Sequence, residues 1–350
     1  MAKKKMPTPQ KMPNGKYRCQ IMVDGKRISA IHEDPDMAQA LVISLKAGII
    51  EKKQEKPTLT LDAAITEYIN SCSNVLSPST IRGYENIRKN HFPELMKMKV
   101  CDISKKDLQS AANEESATMA PKTVSNACAL VIKVLKEHGN IITDIKLKQK
   151  IKKKKTYLSA DEIATLIDAL VGNPYEIQLL LAIWLGLRQS EIHGLCWDCV
   201  DFENSSVTIM RTLVPDKDNK WVLKDGAKNV MSQRTVDCPG YIMNKLKAIY
   251  EEGATGRVFL TNPKTVLKNL HLVCKANNIT DTTVHGLRHT NAAVMIKLGV
   301  ADQYAMARNG WSSEQTFKKV YGYLFMDDAK KTDEKVNEYF QGLIESENCT

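Results

Sequence analysis

What this chain lacks narrows its class. No run of residues is long and apolar enough to span a bilayer. The Met1–Gln10 stretch is basic and contains proline, with no apolar run behind it, which argues against a secretory signal. Regularly paired cysteines are missing too. Nine cysteines are scattered without the spacing of a disulfide framework, which fits reduced thiols in a cytoplasm. One Cys-x-x-Cys is present, Cys196 and Cys199 with His193 three residues earlier, but no second pair stands at zinc-ligand spacing. Ile192–Trp197 reads as helix, so these two are expected to be buried structural thiols. Acidic residues are also in short supply: 40 Asp+Glu face 50 Lys+Arg, for a formal net charge of +10. That surplus suits a polyanionic partner such as nucleic acid without requiring one. The rest is ordinary. With 43% hydrophobic and 26% charged residues the composition is that of a soluble globular protein. At roughly 100–200 residues per domain, 350 residues make two or three domains with real cores.

Periodicity divides the chain. Residues 1–56 read as a small module. Tyr17, Cys19, Ile21 and Val23 alternate with Arg18, Gln20 and Met22, the two-residue period of a strand. Asp24-Gly25 is a hairpin turn signal, Lys26–His32 is a second strand, and a helix runs from Asp36 through Ile50. Lys16, Arg18, Lys26 and Arg27 decorate the strands, either as a solvated face or as a DNA contact. Residues 57–140 read as all helix: Leu61, Ile65, Tyr68 and Ile69 at helical spacing, then Ile81, Tyr84 and Ile87 after Ser79-Thr80, then a Lys122–Glu137 helix with Val124, Ala127, Cys128, Val131, Ile132 and Leu135 as its stripe. Arg82, Arg88, Lys89, Lys122 and Lys133 lie beside these stripes. Residues 141–156 are a basic linker, since Lys146–Lys155 holds seven lysines that repel and stay solvated. We expect it to lie along DNA, each neutralised phosphate adding about −0.9 to the salt slope of binding.

Residues 157–350 carry the chemistry. Ser159-Ala-Asp-Glu162 is a capping box. Glu176–Leu187 reads as one buried helix, Val207–Val214, Trp221–Leu223 and Thr235–Cys238 as short strands. Helices are expected over Tyr241–Glu251, Thr265–Asn277, His285–Leu298 and Ala301–Arg308, with another around Thr316–Tyr321. The expected fold class is therefore multidomain: a small β-hairpin-plus-helix module, an all-α domain, and a mainly α domain with a small antiparallel sheet.

Taken singly, the notable residues read blandly. Arg188 has Glu191 at i+3 for a salt bridge; His285 and Arg288 share a helix face; Trp311, after the Asn309-Gly310 turn, reads as core; Tyr321 and Tyr323 read as packing. Together they make a phosphoryl-transfer set. Two arginines can hold both non-bridging oxygens of a phosphate with a charge that does not titrate away. That stabilises a pentacoordinate transition state without a metal. His285 and the Trp311 indole add hydrogen bonds, a tyrosine phenol can attack phosphorus, and a lysine can protonate the leaving 5′ oxygen. Lys228, two residues after the Asp225-Gly226 turn, has the place for that lysine.

The order of these residues resembles that of the tyrosine recombinase (phage integrase) family. Leu185-Gly-Leu-Arg188-Gln-Ser-Glu191-Ile192 is similar to the family's first arginine box, with Glu191 in support. Lys228, six residues before Arg234-Thr235, is similar to its β-hairpin lysine. His285-Gly-Leu-Arg288-His289-Thr290 is similar to its His-x-x-Arg box. Asn309-Gly310-Trp311-Ser-Ser, then Thr316 and Val320-Tyr321, resembles its C-terminal ending. The likeness covers about Thr156–Phe325. Upstream, Thr58–Gly139 with Ser77-Pro-Ser-Thr80 and Tyr84 looks like the family's core-binding domain, and Lys11–Lys56 looks more loosely like its arm-binding modules. The chain departs from the pattern at Trp311, where many members have histidine, at Gly286, often Asp, and at Tyr323, often histidine. The ten-residue spacing from Trp311 favours Tyr321 as nucleophile, with Tyr323 the second choice.

The resemblance implies an integrase that forms a 3′-phosphotyrosyl link and a free 5′-hydroxyl. It exchanges strands through a four-way junction in a homotetramer, and needs no metal or other cofactor. Its partners would be double-stranded DNA at core and arm sites, with excision or DNA-bending accessory proteins and no membrane, in the cytoplasm. Candidate DNA contacts are Lys16, Arg18, Arg27, Thr80, Arg82, Lys89, Lys122, Lys152, Lys153 and Lys154. A segment such as Asp327–Phe340 would dock on a neighbouring subunit. Two alternatives share the motifs: a type IB topoisomerase, and a DNA-binding regulator with a decayed site.

Overall fold

The structure is a computed structural model and describes residues 6–23, 25–52, 59–149, 157–226, 233–315, 317 and 337–338. The chain separates into two compact units. One holds Met1–Leu76 and Gly83–Lys150, the other Ser77–Arg82 and Ile151–Thr350. Among the described residues no helix is long and apolar enough to cross a membrane.

The first unit opens with an antiparallel sheet, β1 (Gln10–Lys11), β2 (Tyr17–Val23) and β3 (Lys26–His32), backed by α1 (Pro35–Lys52). The first strand is too short to show a period. It exists because a turn closed by the Met12 N–H on the Lys16 carbonyl, 2.7 Å, folds it back onto β2. The pleat sorts the side chains. Cys19 packs with Ala38 and Val42 of α1, flanked by Tyr17, Ile21 and Ala30. Arg18 pairs in register with Ile31, and Met22 with Arg27, so Arg18 and Arg27 share the face turned away from α1. Asp24 of the turn lies outside the described residues.

Helices then follow: α2 (Leu61–Ser71), α3 (Pro78–Asn90), α4 (Pro93–Lys97), α5 (Lys105–Glu115) and α6 (Pro121–Glu137). Periodicity finds α2, α3 and α6. It misses α5, whose apolar stripe is only Leu108 and Ala112 and whose start is set by a Ser104–Asp107 capping box. The linker is not free from its start. The Gln109 side chain donates to the Lys146 carbonyl and accepts from the Lys146 N–H, at 2.9 and 2.8 Å. Lys152, Lys153 and Lys154 lie outside the described residues.

The second unit is built around α8 (Glu176–Ile183), in which Leu179, Leu180, Leu181 and Ala182 are all buried. It is packed by α7 (Ala160–Leu170), α10 (Gly240–Ala248), α11 (Pro263–Ala276) and α12 (Val284–Lys297), with α13 (Asp302–Asn309) beyond α12. The capping box at Ser159–Glu162 forms. The apolar run 176–187 is not one helix. Gly186 takes φ +69°, the Leu187 N–H reaches back to the Leu181 carbonyl, and Arg188 starts the separate α9 (Gln189–Gly194). The helix read over Ile192–Trp197 likewise stops at Gly194. There the backbone of Arg211 and Thr212 comes so close that a Cβ would meet Thr212 Cα at 2.6 Å. The chain leaves the helix to exchange hydrogen bonds with Gly256 and Val258. Cys196 and Cys199 are buried, Cys199 with its thiol pushed up to about 11 by burial.

The strand read over Val207–Val214 is two strands. β5 (Ser206–Ile209) lies between β4 (Val200–Asp201) and β8 (Arg234–Asp237), while β6 (Arg211–Pro215) turns away at Met210 to pair with β7 (Trp221–Asp225). The unit thus has a three-stranded and a two-stranded sheet where a single one is expected. The helix expected around Thr316–Tyr321 and the Asp327–Phe340 segment fall almost wholly outside the described residues.

Candidate active site

Three segments, the start of α9, β8 and α12, meet at one buried carboxylate. Glu191 sits in the first turn of α9 and is 2% exposed. Its Oε2 accepts from the Arg188 backbone N–H at 2.9 Å, which caps the helix start. Its oxygens also take three guanidiniums. Arg188 Nη1 reaches Oε1 at 2.5 Å, Arg234 Nη2 reaches Oε2 at 3.0 Å, and Arg288 Nη1 stands 3.9 Å from Oε2. Burial raises the Glu191 pKa, but the charges of Arg234, Arg188 and Arg288 outweigh it and hold the carboxyl at about 2.

The same arginines seize the end of α13. Three consecutive carbonyls there would otherwise be unpaired helix-end acceptors. Arg308 O accepts from Arg234 Nε at 2.8 Å, Asn309 O from Arg288 Nη2, and Gly310 O from Arg188 Nη2 at 2.8 Å. Gly310 closes the helix at φ +61°, and a Cβ on it would meet Arg234 Nη1 at 2.7 Å. Arg288 adds a bond to the Gly186 carbonyl at 2.5 Å. The next residue is Trp311, its N–H on the Met306 carbonyl, and its ring 5.4 Å from the Arg288 guanidinium. His289 and Phe317 flank that ring at 6.3 and 6.1 Å. His285 is exposed one turn before His289, with ring centroids 4.5 Å apart.

Of the sequence-derived site residues, Arg188, Glu191, Arg288 and Trp311 thus lie together, and His285 is reached through His289. Arg188 and Arg288 differ in exposure: the Arg188 side chain is 32% exposed and that of Arg288 1%. Lys228, Tyr321 and Tyr323 lie outside the described residues. Sequence reasoning misses Arg234 as a functional residue. Its signal is there, an arginine in a strand that sits between the lysine and the His-x-x-Arg box, but nothing in the spacing says that it points at Glu191. The described candidate DNA contacts fall in both units: Lys16, Arg18, Arg27, Lys89 and Lys122 in the first, Thr80 and Arg82 in the second. Arg27, Arg82, Lys89 and Lys122 are exposed and Thr80 is half-buried in the first turn of α3. Lys16 pairs with Glu33 at 3.2 Å, and the Arg18 Nε is buried with no partner among the described residues.

On α9, His193 is buried, and its Nδ1 has no hydrogen-bond partner among the described residues. Burial, and then the Arg257 charge, push its imidazole down to about 4. The folded state therefore resists a proton that the unfolded chain takes near pH 6.5, and stability falls as pH drops from there towards 4. Between pH 7.5 and 5.0 the wild type should lose about 2 kcal/mol more than His193→Leu in urea unfolding. Equal losses would show that the ring takes its proton without unfolding.

The carboxylate is ringed by three guanidiniums, of which that of Arg188 is partly exposed. The model of the phage integrase family matches residues 156–326, and that of the phage integrase N-terminal SAM-like domain matches residues 60–116. The chain belongs to the tyrosine recombinase (phage integrase) family, and is a site-specific DNA recombinase. A tyrosine recombinase XerC-like protein of Caldanaerobacter subterraneus subsp. tengcongensis is 24% identical over 307 residues, 75% of this chain and 78% of that protein. In fold, the chain resembles the Tn1549 transposon integrase in complex with transposon right end DNA. The TM-score is 0.65 at 15% identity, over 80% of this chain and 100% of that one. It also resembles a lambda integrase tetramer bound to a Holliday junction, with TM-score 0.51 and 17% identity, over 88% and 96%.

Proposed function

We propose that the chain integrates or excises a mobile element by cutting DNA with Tyr321, the scissile phosphate being held by Arg188 and Arg288. The observation that carries this reading is their meeting on Glu191 from segments 100 residues apart, next to Trp311. The Tyr321 oxygen attacks phosphorus, the bond to the 5′ oxygen breaks, and Lys228 protonates that oxygen. One proton is lost at the phenol and one gained at the leaving group. The arginine charge offsets the negative charge that builds on the non-bridging oxygens. His285 and the Trp311 indole donate hydrogen bonds there. The 5′-hydroxyl of a partner duplex then attacks the phosphotyrosine, and the phosphodiester energy is conserved.

In the same reading residues 1–56 bind arm DNA, residues 57–140 bind core DNA, residues 141–156 follow the backbone between them, and residues 157–350 cut. Lys16, Arg18, Arg27, Thr80, Arg82, Lys89, Lys122, Lys152, Lys153 and Lys154 supply contacts, mainly to phosphates. Four copies assemble on a junction in the cytoplasm, with excision or DNA-bending proteins choosing direction and the Asp327–Phe340 segment linking neighbours. Two observations support DNA as the partner: the net charge of +10, and the face of the first sheet that carries half-buried Arg18 and exposed Arg27.

A nicked suicide duplex tests the nucleophile. The wild type should form a covalent protein–DNA adduct on gels, Tyr323→Phe should still form it, and Tyr321→Phe should form none. Loss with Tyr323→Phe alone would move the nucleophile to Tyr323.

A further inference from the structure

We propose that Arg234 is a positioning residue for strand cleavage, holding Glu191 and the end of α13 so that Arg188 and Arg288 present their charge to the phosphate. This rests on the reading that those two arginines clamp the scissile phosphate.

The first argument is geometric. The Arg234 side chain is 7% exposed and reaches in two directions at once. Nη2 and Nη1 face the two oxygens of Glu191 at 3.0 and 3.4 Å, while Nε donates to the Arg308 carbonyl at 2.8 Å. Both of its targets control the phosphate arginines. Glu191 carries the Arg188 guanidinium, and the turn after Arg308 offers the Asn309 and Gly310 carbonyls to Arg288 and Arg188. A planar fork can serve both directions, whereas a lysine ammonium reaches only one.

The second argument is one of charge. Arg188 and Arg288 alone with Glu191 would leave a net +1, because the buried carboxylate cancels half of what the phosphate should feel. With Arg234 the three guanidiniums and one carboxylate sum to +2. Inside a protein, where fields are weakly screened, that difference bears directly on a transition state gaining negative charge.

The test uses the full chain and a nicked duplex whose sequence has been selected by covalent capture on the wild type from a randomised library. Adduct formation at saturating DNA, DNA affinity and thermal unfolding are measured together. Arg234→Gln should slow adduct formation by roughly 10–100-fold, at or below the lower edge of the roughly 100–1,000-fold loss expected for a donor that touches the reacting group, with DNA affinity changed less than about threefold. Arg234→Lys should recover only part of the rate. The double variant Glu191→Gln, Arg234→Gln restores the net +2, so it should cleave about tenfold faster than Arg234→Gln alone. A methylphosphonate at the scissile position, which has one negative oxygen fewer, should narrow the gap between Arg234→Gln and wild type. Wild-type cleavage by Arg234→Gln would overturn the proposal. So would a loss that the double variant deepens and the methylphosphonate leaves unchanged, since that is the signature of a fold contact only. If Arg234→Gln does not fold, the double variant and Arg234→Lys decide by the same rates. No adduct from the wild type would overturn the strand-transfer reading and this proposal with it, an outcome distinct from all the others.

Discussion

Glu191→Ala should lower the stability of the catalytic unit by about 3–5 kcal/mol and abolish covalent adduct formation. The substitution removes the one carboxylate that faces three arginines, two of which are almost fully buried. Burying a guanidinium without a counter-charge is far more costly than losing an exposed ion pair. The change also deletes the acceptor for the Arg188 N–H at the start of α9. Urea unfolding at pH 7 gives the stability. Glu191→Gln, which keeps the shape and some hydrogen bonds, should be intermediate. A pH series separates charge from shape. The Glu191 carboxyl is depressed from 4.5 to about 2, so its contribution is fully present above about pH 4.5 and is lost as pH falls towards 2. That depression corresponds to about 3 kcal/mol. The gap between wild type and Glu191→Gln should therefore close over that window. A gap that stays constant with pH would mean that the carboxylate acts by shape and not by charge.

Gly186→Ala should be nearly as damaging, although it adds one methyl group. Gly186 sits at φ +69°, where a side chain costs about 1–2 kcal/mol. A Cβ there would collide with the Asn309 amide oxygen and stand 2.8 Å from that of Asn291. Neither amide can easily yield. Asn309 is fully buried and donates to Asn291, and Asn291 donates to the Ile183 and Trp184 carbonyls at the end of α8. Overpacking of this kind adds about 1–3 kcal/mol, for about 2–5 kcal/mol in all. The Gly186 carbonyl also holds Arg288, so the rate of cleavage should fall with the stability. Thermal unfolding and the suicide-substrate rate check the two halves. An alanine variant with wild-type melting would show that the Asn309–Asn291 pair is free to move.

Both predictions depend on residues that look ordinary in the chain. Outside the arginine box that contains them, a Gly between two leucines and a Glu after Gln-Ser carry little signal, and the packing cost at Gly186 arises from Asn309, 123 residues on. Local patterns are legible where the physics is local. The β2–β3 hairpin follows from alternation plus Asp-Gly, the start of α7 from a capping box, and α6 from an apolar stripe. The pattern misleads where the chain is buried on every side. The 176–187 run is apolar throughout, so periodicity cannot see the break at Gly186. The helix read through Trp197 fails for a related reason: another strand's backbone presses on Gly194, which no window around Gly194 contains.

The sequence by itself determined the class of this protein: its motifs stand in the order of the tyrosine recombinase family, and the whole carries excess positive charge. It did so because reaction type depends on functional groups, and their order survives in the chain. Only the tertiary structure decided how those groups are held. The third arginine on Glu191, and the three carbonyls at the end of α13 that take one arginine each, arise from segments brought together across the fold. Charge balance in a buried cluster is a property of space, and spacing along a chain does not encode it.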